Sequence, residues 1–176
     1  MHTHRSHAAN LPVTHLVHLL RQLASVVVVL HDAHYREQQV REVSGSVGGH
    51  VRHSLDHIAA LVRGLDVGII DYDARVRGTS VETMREAALQ EINRLVRTLT
   101  TLNQEATDRH LMVTVHDAAT GARSAVTTSL VRELAFVESH TIHHFAIVAL
   151  LLHEMGIRVP PRFGYAPSTP SPELAA

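Results

Sequence analysis

The sequence contains no cysteine, no lysine and no tryptophan, and the first two absences each remove a class of chemistry. Without cysteine there is no thiolate nucleophile and no sulfur ligand for a metal. Without lysine, neither Schiff-base catalysis nor the lysine of a phosphate-binding loop is available. What the chain has in unusual number is histidine, with 16 residues. We therefore expect histidine to carry any chemistry that this protein performs.

The chain also lacks an excess of charge of either sign. Its 16 basic and 17 acidic residues give a formal net charge of -1, so the electrostatic footprint of nucleic-acid or membrane-surface binding is missing. The longest apolar run, residues 145–152, is too short to span a bilayer, and the N-terminus has no apolar segment typical of a signal peptide. We predict a cytoplasmic protein that binds neither nucleic acid nor membranes.

Aromatic residues are scarce, at 3% of the chain, so the core must be built from Leu, Val, Ile and Ala. Such a core is typical of packed helices, and 176 residues are enough for one domain. We predict a flexible N-terminus over residues 1–10, a helical domain over 11–160 and an extended C-terminal tail over 161–176.

Apolar residues recur at intervals of three and four along most of the chain, which indicates amphipathic helices. The predicted helices are residues 11–42, from Ser44 or Ser46 to 63 with Gly64 as the stop, from Thr79 or Ser80 to 107, and 129–155. Residues 65–78 are expected to be an irregular connection. Over residues 111–128 the period changes to two around Gly121, which predicts a β-hairpin. The predicted fold is all-α: an up-and-down four-helix bundle with a small hairpin between helices 3 and 4.

The strongest functional signal lies in the last predicted helix, where His140 and His144 are four residues apart. Two histidines at this spacing face the same side of a helix and can bind one metal ion together. A metal site that keeps a position open for water or substrate uses three protein ligands, so another helix must supply the third. The second predicted helix offers three histidines for this role: His50, His53 and His57.

Periodicity alone leaves this third ligand open. If Arg52, Asp56 and Arg63 mark the solvent side of the second helix, His50 and His57 face the interior and His53 lies at the boundary. The alternative to a metal site is a set of core histidines that are hydrogen-bonded within the protein.

These motifs together resemble those of the DinB-like family (DinB/YfiT type) of four-helix-bundle metalloproteins. The segments "SVGGHVRHSLDH" at 46–57 and "HTIHH" at 140–144 are similar to the patterns of the second and last helices of that family. The segments "DYDARVR" at 71–77 and "FGYAPST" at 163–169 resemble a bacterial subgroup within it.

The resemblance implies a divalent metal ion, usually zinc or nickel, bound by His53, His140 and His144. His50, His57 and His143 are then alternative ligands or neighbours of the site. Such a metal would activate water or a low-molecular-weight thiol such as bacillithiol, mycothiol or glutathione. The implied activity is that of a hydrolase or a thiol S-transferase acting on a small-molecule substrate. The candidate catalytic residues are Asp56 and Glu138, and the candidate binders of an anionic substrate are Arg75 and Arg77.

A second hypothesis is a metal-binding or stress-associated bundle without turnover, in which the site is structural or vestigial. A coordination position left open for water would favour the enzyme, whereas a fourth protein ligand would favour the structural site. The valine run at residues 26–29 could also serve as the interface of a homodimer.

Overall fold

The computed structural model describes residues 11–37, 45–102 and 109–170 and has a mostly helical fold with one small sheet. The predicted flexible N-terminus, residues 1–10, lies outside the described residues. In chain order the elements are α1 Leu11–Val27, α2 Asp32–Arg36, α3 Val47–Val67, β1 Ile69–Ile70, α4 Ser80–Thr83, α5 Arg85–Leu102, β2 His110–His116, β3 Arg123–Ser129 and α6 Leu130–Glu154.

The long helices α1, α3, α5 and α6 surround one hydrophobic core. Helix α1 packs against α5 and α6, and α3 packs against the same two helices. The core consists mainly of leucine, valine and isoleucine side chains, as the scarcity of aromatic residues predicts. Burial of these side chains supplies the main free energy that holds the helices together.

The first predicted helix is shorter than expected, because α1 ends inside the valine run. Val28 and Val29 lie in an exposed turn after the helix, and the short helix α2 follows. Four consecutive β-branched side chains lose rotamer freedom in a helix, which lowers helix propensity at this point. The prediction of one continuous helix over residues 11–42 is therefore wrong, although residues 38–42 lie outside the described part of the chain.

Helix α3 begins at the predicted cap, where the side chain of Ser46 accepts a hydrogen bond of 3.1 Å from the N–H of Gly49. Its end was predicted wrongly: the helix passes Gly64 and stops at Gly68, whose φ of 79° is left-handed. The glycine at position 64 has a different role from the predicted helix stop. A Cβ atom there would lie 2.9 Å from the carbonyl oxygen of Ile69, so the glycine lets β1 cross close to the helix.

The third predicted helix is divided by an extended residue, Met84, into α4 and α5. Helix α4 is held by tertiary contacts: the carbonyl of Val81 accepts a hydrogen bond of 2.7 Å from the hydroxyl of Tyr35, and Glu82 forms an ion pair with Arg52. These contacts hold α4 in place beside Met84, where the apolar period of the sequence predicts one continuous helix. The predicted end of this helix falls at residues 103–108, which are outside the described residues.

The predicted hairpin is confirmed, with β2 and β3 antiparallel and Val113 opposite Val126. Gly121 occupies its turn with a φ of 71°. The sheet has a third strand that the sequence analysis missed, because β1 pairs in parallel with β2. This strand replaces part of the expected irregular connection, and its two residues are too few for a period to be visible in the sequence.

Helix α6 follows the hairpin directly and begins within one residue of its predicted start at residue 129, with Ser129 as its cap. After the helix, Phe163 is buried and stacks on Phe145 with ring centroids 4.7 Å apart. The described part of the predicted tail is therefore anchored on α6. Among the helices that the structure describes, α6 alone has the length and apolar composition of a membrane span, a criterion that core helices of soluble proteins also meet.

The close approach of α3 to α4 gives a test of this packing. A Cβ atom at Gly48 would overlap the carbonyl oxygen of Glu82 and lie 2.7 Å from the ring of Tyr35, whereas at Gly49 its nearest contact would be 3.6 Å. We expect Gly48→Ala to lower the free energy of unfolding by about 2 kcal/mol or more in urea denaturation. The matched change Gly49→Ala should leave it unchanged or raise it by up to about 1 kcal/mol. Equal effects of the two substitutions would contradict this packing.

Candidate metal centre

Six histidines from α3 and α6 meet where these two helices pack together, and we call them the histidine cluster. Helix α3 supplies three of them and α6 the other three: His50, His53, His57, His140, His143 and His144. On α3 the rings of His53 and His57 lie 4.4 Å apart, and on α6 those of His140 and His144 lie 4.7 Å apart. Both spacings follow from the i, i+4 positions of the pairs.

The two helices also bring imidazoles together across their interface. Nε2 of His53 and Nε2 of His140 are 2.9 Å apart, and the rings of His57 and His140 stack with centroids 4.1 Å apart. The ring of His144 lies 4.4 Å from that of His53. The structure therefore brings imidazoles of the two helices into contact with one another.

Three histidines form a group that could hold a metal ion. Nitrogen donors of His53, His57 and His140 all lie within 4.8 Å of one another. Nδ1 of His57 donates a hydrogen bond of 3.0 Å to the backbone carbonyl oxygen of His53, because a carbonyl can only accept. The lone pair of His57 is therefore on Nε2, where a metal can use it.

Burial keeps these rings neutral, which is the form that binds a metal. Desolvation, assisted by the neighbouring histidines, lowers the pKa of His53 to about 3 and that of His144 to about 3. The same causes lower the pKa of His140 to about 4. Burial also lowers the pKa of His57, although its hydrogen bond to the His53 carbonyl acts in the opposite direction.

The remaining three members surround this group. Nδ1 of His50 lies 3.0 Å from Nδ1 of His144, so these two rings form a second contact between α3 and α6. His143 is exposed and packs edge-on against the ring of His144, with centroids 5.2 Å apart. The structure thus brings the three ligands implied by the resemblance into one cluster and places His57 there as well.

Arg75 reaches the cluster from the connection between β1 and α4, whereas Arg77 is exposed. The guanidinium of Arg75 hydrogen-bonds to Nδ1 of His53. Because arginine can only donate, Nδ1 of His53 accepts and its proton resides on Nε2. In this tautomer His53 donates to Nε2 of His140, which explains their direct contact.

The two candidate catalytic carboxylates lie in different places. Asp56 forms an ion pair of 3.6 Å with Arg52 on the same helix, and its Oδ2 is buried without a hydrogen-bond partner among the described residues. Burial raises the pKa of Asp56, although Arg52 and Arg75 oppose the rise. Glu138 instead pairs with His15 of α1 at 3.4 Å and lines a cleft between α1, α6 and the tail.

Three further residues, Tyr72, Phe136 and Glu133, lie beside the cluster and were not among the predicted site residues. Tyr72 stacks on His57 with centroids 5.3 Å apart, and Phe136 stacks on His140 with centroids 5.8 Å apart. The hydroxyl of Tyr72 donates a hydrogen bond of 2.8 Å to the buried carboxylate of Glu133. Burial and this bond raise the pKa of Tyr72, so it stays a neutral donor. Among these residues, only Tyr72 could have been suspected from the sequence, because it lies inside the "DYDARVR" segment.

A second group of donors, Asp71, Asp73 and His116, lies at the surface. Asp71 already accepts hydrogen bonds from the N–H groups of Asp73 and Ala74 and from Arg123. Burial would raise the pKa of Asp71, but these partners outweigh it and lower the pKa. The group braces the β1–α4 connection against the hairpin.

Comparison with known proteins identifies the class of fold. The structure is similar to the crystal structure of a DinB-like protein, YjoA, from Bacillus subtilis. The TM-score is 0.57 at 17% sequence identity, and the similarity covers 88% of this chain and 99% of the other. No protein-family model matches the sequence. The protein therefore has the DinB-like fold, as the resemblance of its motifs implied.

One curated protein with a similar sequence is FK506-binding protein 5 of Rhizopus delemar. The two sequences are 33% identical over 104 residues, which are 58% of this chain and 27% of that protein. The chain thus spans about a quarter of the length of this relative.

The lowered histidine pKa values predict how stability depends on pH. In the unfolded chain these histidines bind protons below their usual pKa of 6.5, whereas in the folded protein His140 does so only near 4 and His144 near 3. The free energy of unfolding of chelator-treated protein should therefore fall as the pH decreases from 6.5 towards 4, by about 2 kcal/mol or more between pH 7 and pH 5.

Urea titrations at several pH values measure this dependence. The variant His144→Gln should have a flatter pH profile than the parent protein, while His153→Gln, at an exposed position, should retain the parent profile. A pH-independent stability of the parent protein would contradict burial of neutral imidazoles.

Proposed function

We propose that the protein is a divalent-metal-dependent enzyme whose metal is bound by imidazoles of the histidine cluster. The observation that carries this proposal is the convergence of His53, His57 and His140 from two helices, with donors within 4.8 Å of one another. Three neutral nitrogen donors suit zinc or nickel. A metal ion held in this way supplies a nucleophile at neutral pH by lowering the pKa of a coordinated water or thiol.

Two of the proposed ligands, His53 and His140, belong both to the geometric group and to the set implied by the DinB resemblance. The third is His57 by geometry and His144 by resemblance. Geometry favours His57, because its Nδ1 is occupied by a carbonyl and its Nε2 therefore carries the lone pair. His144 contacts the rings of both His53 and His140 and is the next imidazole available.

Arg75 is proposed to act as a mobile cation at this centre. A metal on Nε2 of His53 requires the proton on Nδ1, and a protonated Nδ1 cannot accept from arginine. Metal binding would therefore release the guanidinium of Arg75 from His53, leaving it able to pair with an anionic group of the substrate. Asp56 is the proposed proton carrier, because its Oδ2 is buried without a hydrogen-bond partner among the described residues and burial raises its pKa.

The resemblance to the DinB-like family supplies the proposed reaction class, which is hydrolysis or S-transfer from a low-molecular-weight thiol such as bacillithiol, mycothiol or glutathione. We infer further that α1, α3, α5 and α6 form the up-and-down four-helix bundle of the DinB type, in the cytoplasm, with a small-molecule substrate. A homodimer through the valine run remains a prediction, and its exposed members are Val28 and Val29.

A second candidate function is a metal-binding bundle without turnover. The observation that favours it is the presence of a fourth imidazole, because His57 and His144 both lie beside His53 and His140. Four imidazoles would close a tetrahedral shell and leave no position for water or a thiol.

Metal content of the purified protein and its variants tests the ligand set. We expect about one zinc ion per chain in the parent protein by mass spectrometry, and loss of stoichiometric binding in His53→Ala and His140→Ala. His57→Ala should lose more affinity than His144→Ala if the geometric set is correct, and the reverse order would favour the set implied by the resemblance. The control His153→Ala should bind as the parent does. Full occupancy in His53→Ala would refute the proposed centre.

Cobalt substitution separates the two candidate functions. Visible spectra of the cobalt-loaded protein should change when azide or glutathione is added, because an exogenous ligand can enter an open coordination position. A spectrum that neither reagent alters would indicate a closed shell and support the non-catalytic alternative.

The role of Arg75 gives a separate prediction. Removal of its guanidinium eliminates both a competing donor on His53 and a positive charge beside the metal, so Arg75→Gln should tighten zinc binding by about tenfold, or ~1.4 kcal/mol, in competition titrations. Arg77→Gln, at an exposed position of the same segment, should have no effect. Weaker zinc binding in Arg75→Gln would show that the arginine supports the site instead.

A further inference from the structure

The β-hairpin, the start of α6 and the connection after β1 line a cleft of about 510 Å³. Alternate residues of a strand share a face and directly paired residues lie side by side, so Leu111, Val115, Val126 and Thr128 lie on one face of the hairpin. Thr128 of this face donates a hydrogen bond to Glu133 of α6. At the base of the hairpin, this face is covered: Leu111 is 2% exposed and its partner Thr128 is 8% exposed. Nearer the turn, Val115 and Val126 on the same face are 46% and 45% exposed.

The floor of this hairpin cleft is a buried polar network. Glu133 is only 1% exposed, and its carboxylate accepts hydrogen bonds from Thr128 Oγ1 at 2.6 Å, from Arg132 Nη1 at 2.9 Å and from the hydroxyl of Tyr72 at 2.8 Å. A buried carboxylate held by several donors is a rigid element. The cleft therefore has a preformed floor and is more than a gap between loosely packed elements.

The wall of the hairpin cleft is shared with the metal centre. Tyr72 and Phe136 both line the cleft, and the same rings stack on His57 and His140. The two aromatic rings also contact each other, with centroids 5.2 Å apart. A molecule in the cleft would thus lie one ring away from the imidazoles proposed to hold the metal.

The charges that line the hairpin cleft do not favour an anionic occupant. Its cation, Arg132, is already paired with Glu133, and Asp73 adds a negative charge 3.6 Å from His116 at the other side. The apolar lining consists of Phe136 together with valines from both strands. Covering exposed valine and phenylalanine side chains with an uncharged, apolar ligand removes apolar surface from water, which gives a favourable free energy of binding.

We propose that the hairpin cleft binds an uncharged aromatic or similarly flat apolar group of the substrate and holds it beside the metal centre. The volume is within the range of small-molecule pockets, and Phe136 is 40% exposed, which leaves part of an aromatic side chain for contact with a ligand. The assignment of this group to a substrate rests on the proposed enzymatic function, whereas binding of the group depends only on the cleft.

Two fluorescent probes with the same ring system test the proposal. N-phenylnaphthylamine is uncharged, and anilinonaphthalene sulfonate carries the same rings with a negative charge. We expect the zinc-loaded protein to bind the uncharged probe saturably and at least about fivefold more tightly than the sulfonate. Equal or tighter binding of the sulfonate would overturn the assignment of an uncharged group.

Substitutions in the cleft locate the binding. Phe136→Ala should weaken binding of the uncharged probe by about fivefold or more through loss of stacking, and Val126→Glu should weaken it further by placing a charge on the apolar face. The control Val29→Glu places the same charge on an exposed valine outside the cleft and should bind as the parent protein does. Unchanged binding in both cleft variants with an unchanged melting temperature would refute the proposal.

Two further measurements distinguish this proposal from its alternatives. Zinc content should be the same in Val126→Glu and in the parent protein, because the substitution lies in the cleft. A parent protein that contains no metal but still binds the probe would refute the metal centre and leave the cleft assignment standing. Light scattering reports the oligomeric state. A parent dimer that becomes monomeric in Val126→Glu would show that a second copy of the chain covers this face, and would overturn the proposal.

Discussion

Packing of α3 against α6 is the contact on which the candidate site depends. It brings imidazoles from both helices within hydrogen-bonding distance, as in the 2.9 Å contact between His53 and His140. Charged rings at such distances inside a protein would repel one another and lose their hydration, so the packed arrangement requires neutral histidines. The lowered pKa values of His53, His140 and His144 express this requirement. The same constraint prepares the rings to bind a metal ion, which needs their lone pairs.

The elements around this interface position the cluster and define its surroundings. The connection after β1 places Tyr72 on the ring of His57 and Arg75 on Nδ1 of His53. The buried carboxylate of Glu133 links Tyr72 to the hairpin through Thr128. Strand pairing, the connection and the start of α6 are therefore coupled to the imidazoles through a short chain of contacts.

Much of the fold could be predicted, because its signals are local. The hairpin turn at Gly121 and the cap at Ser46 involve residues close in sequence, and the period of apolar residues identifies the long helices. The errors occurred where distant contacts override local preference. A glycine at position 64 is typical of a helix stop, yet the helix continues past it. The absence of a side chain there instead lets β1 pass close to the helix. Likewise, the division at Met84 accompanies contacts of α4 with residues far away in the chain.

The sequence by itself determined that histidines at i, i+4 spacing would occupy two helices, since that spacing is a property of the helix alone. It also determined the class of fold through its apolar period and the motifs that resemble the DinB-like family. Only the tertiary structure decided how each helix is rotated about its axis, because that rotation depends on side chains packed from other helices. It placed His57 in the donor group with His53 and His140, and it directed Glu138 towards His15 on α1. It also left the outer half of the hairpin face uncovered, because the length of a strand does not specify how far a neighbouring helix follows it.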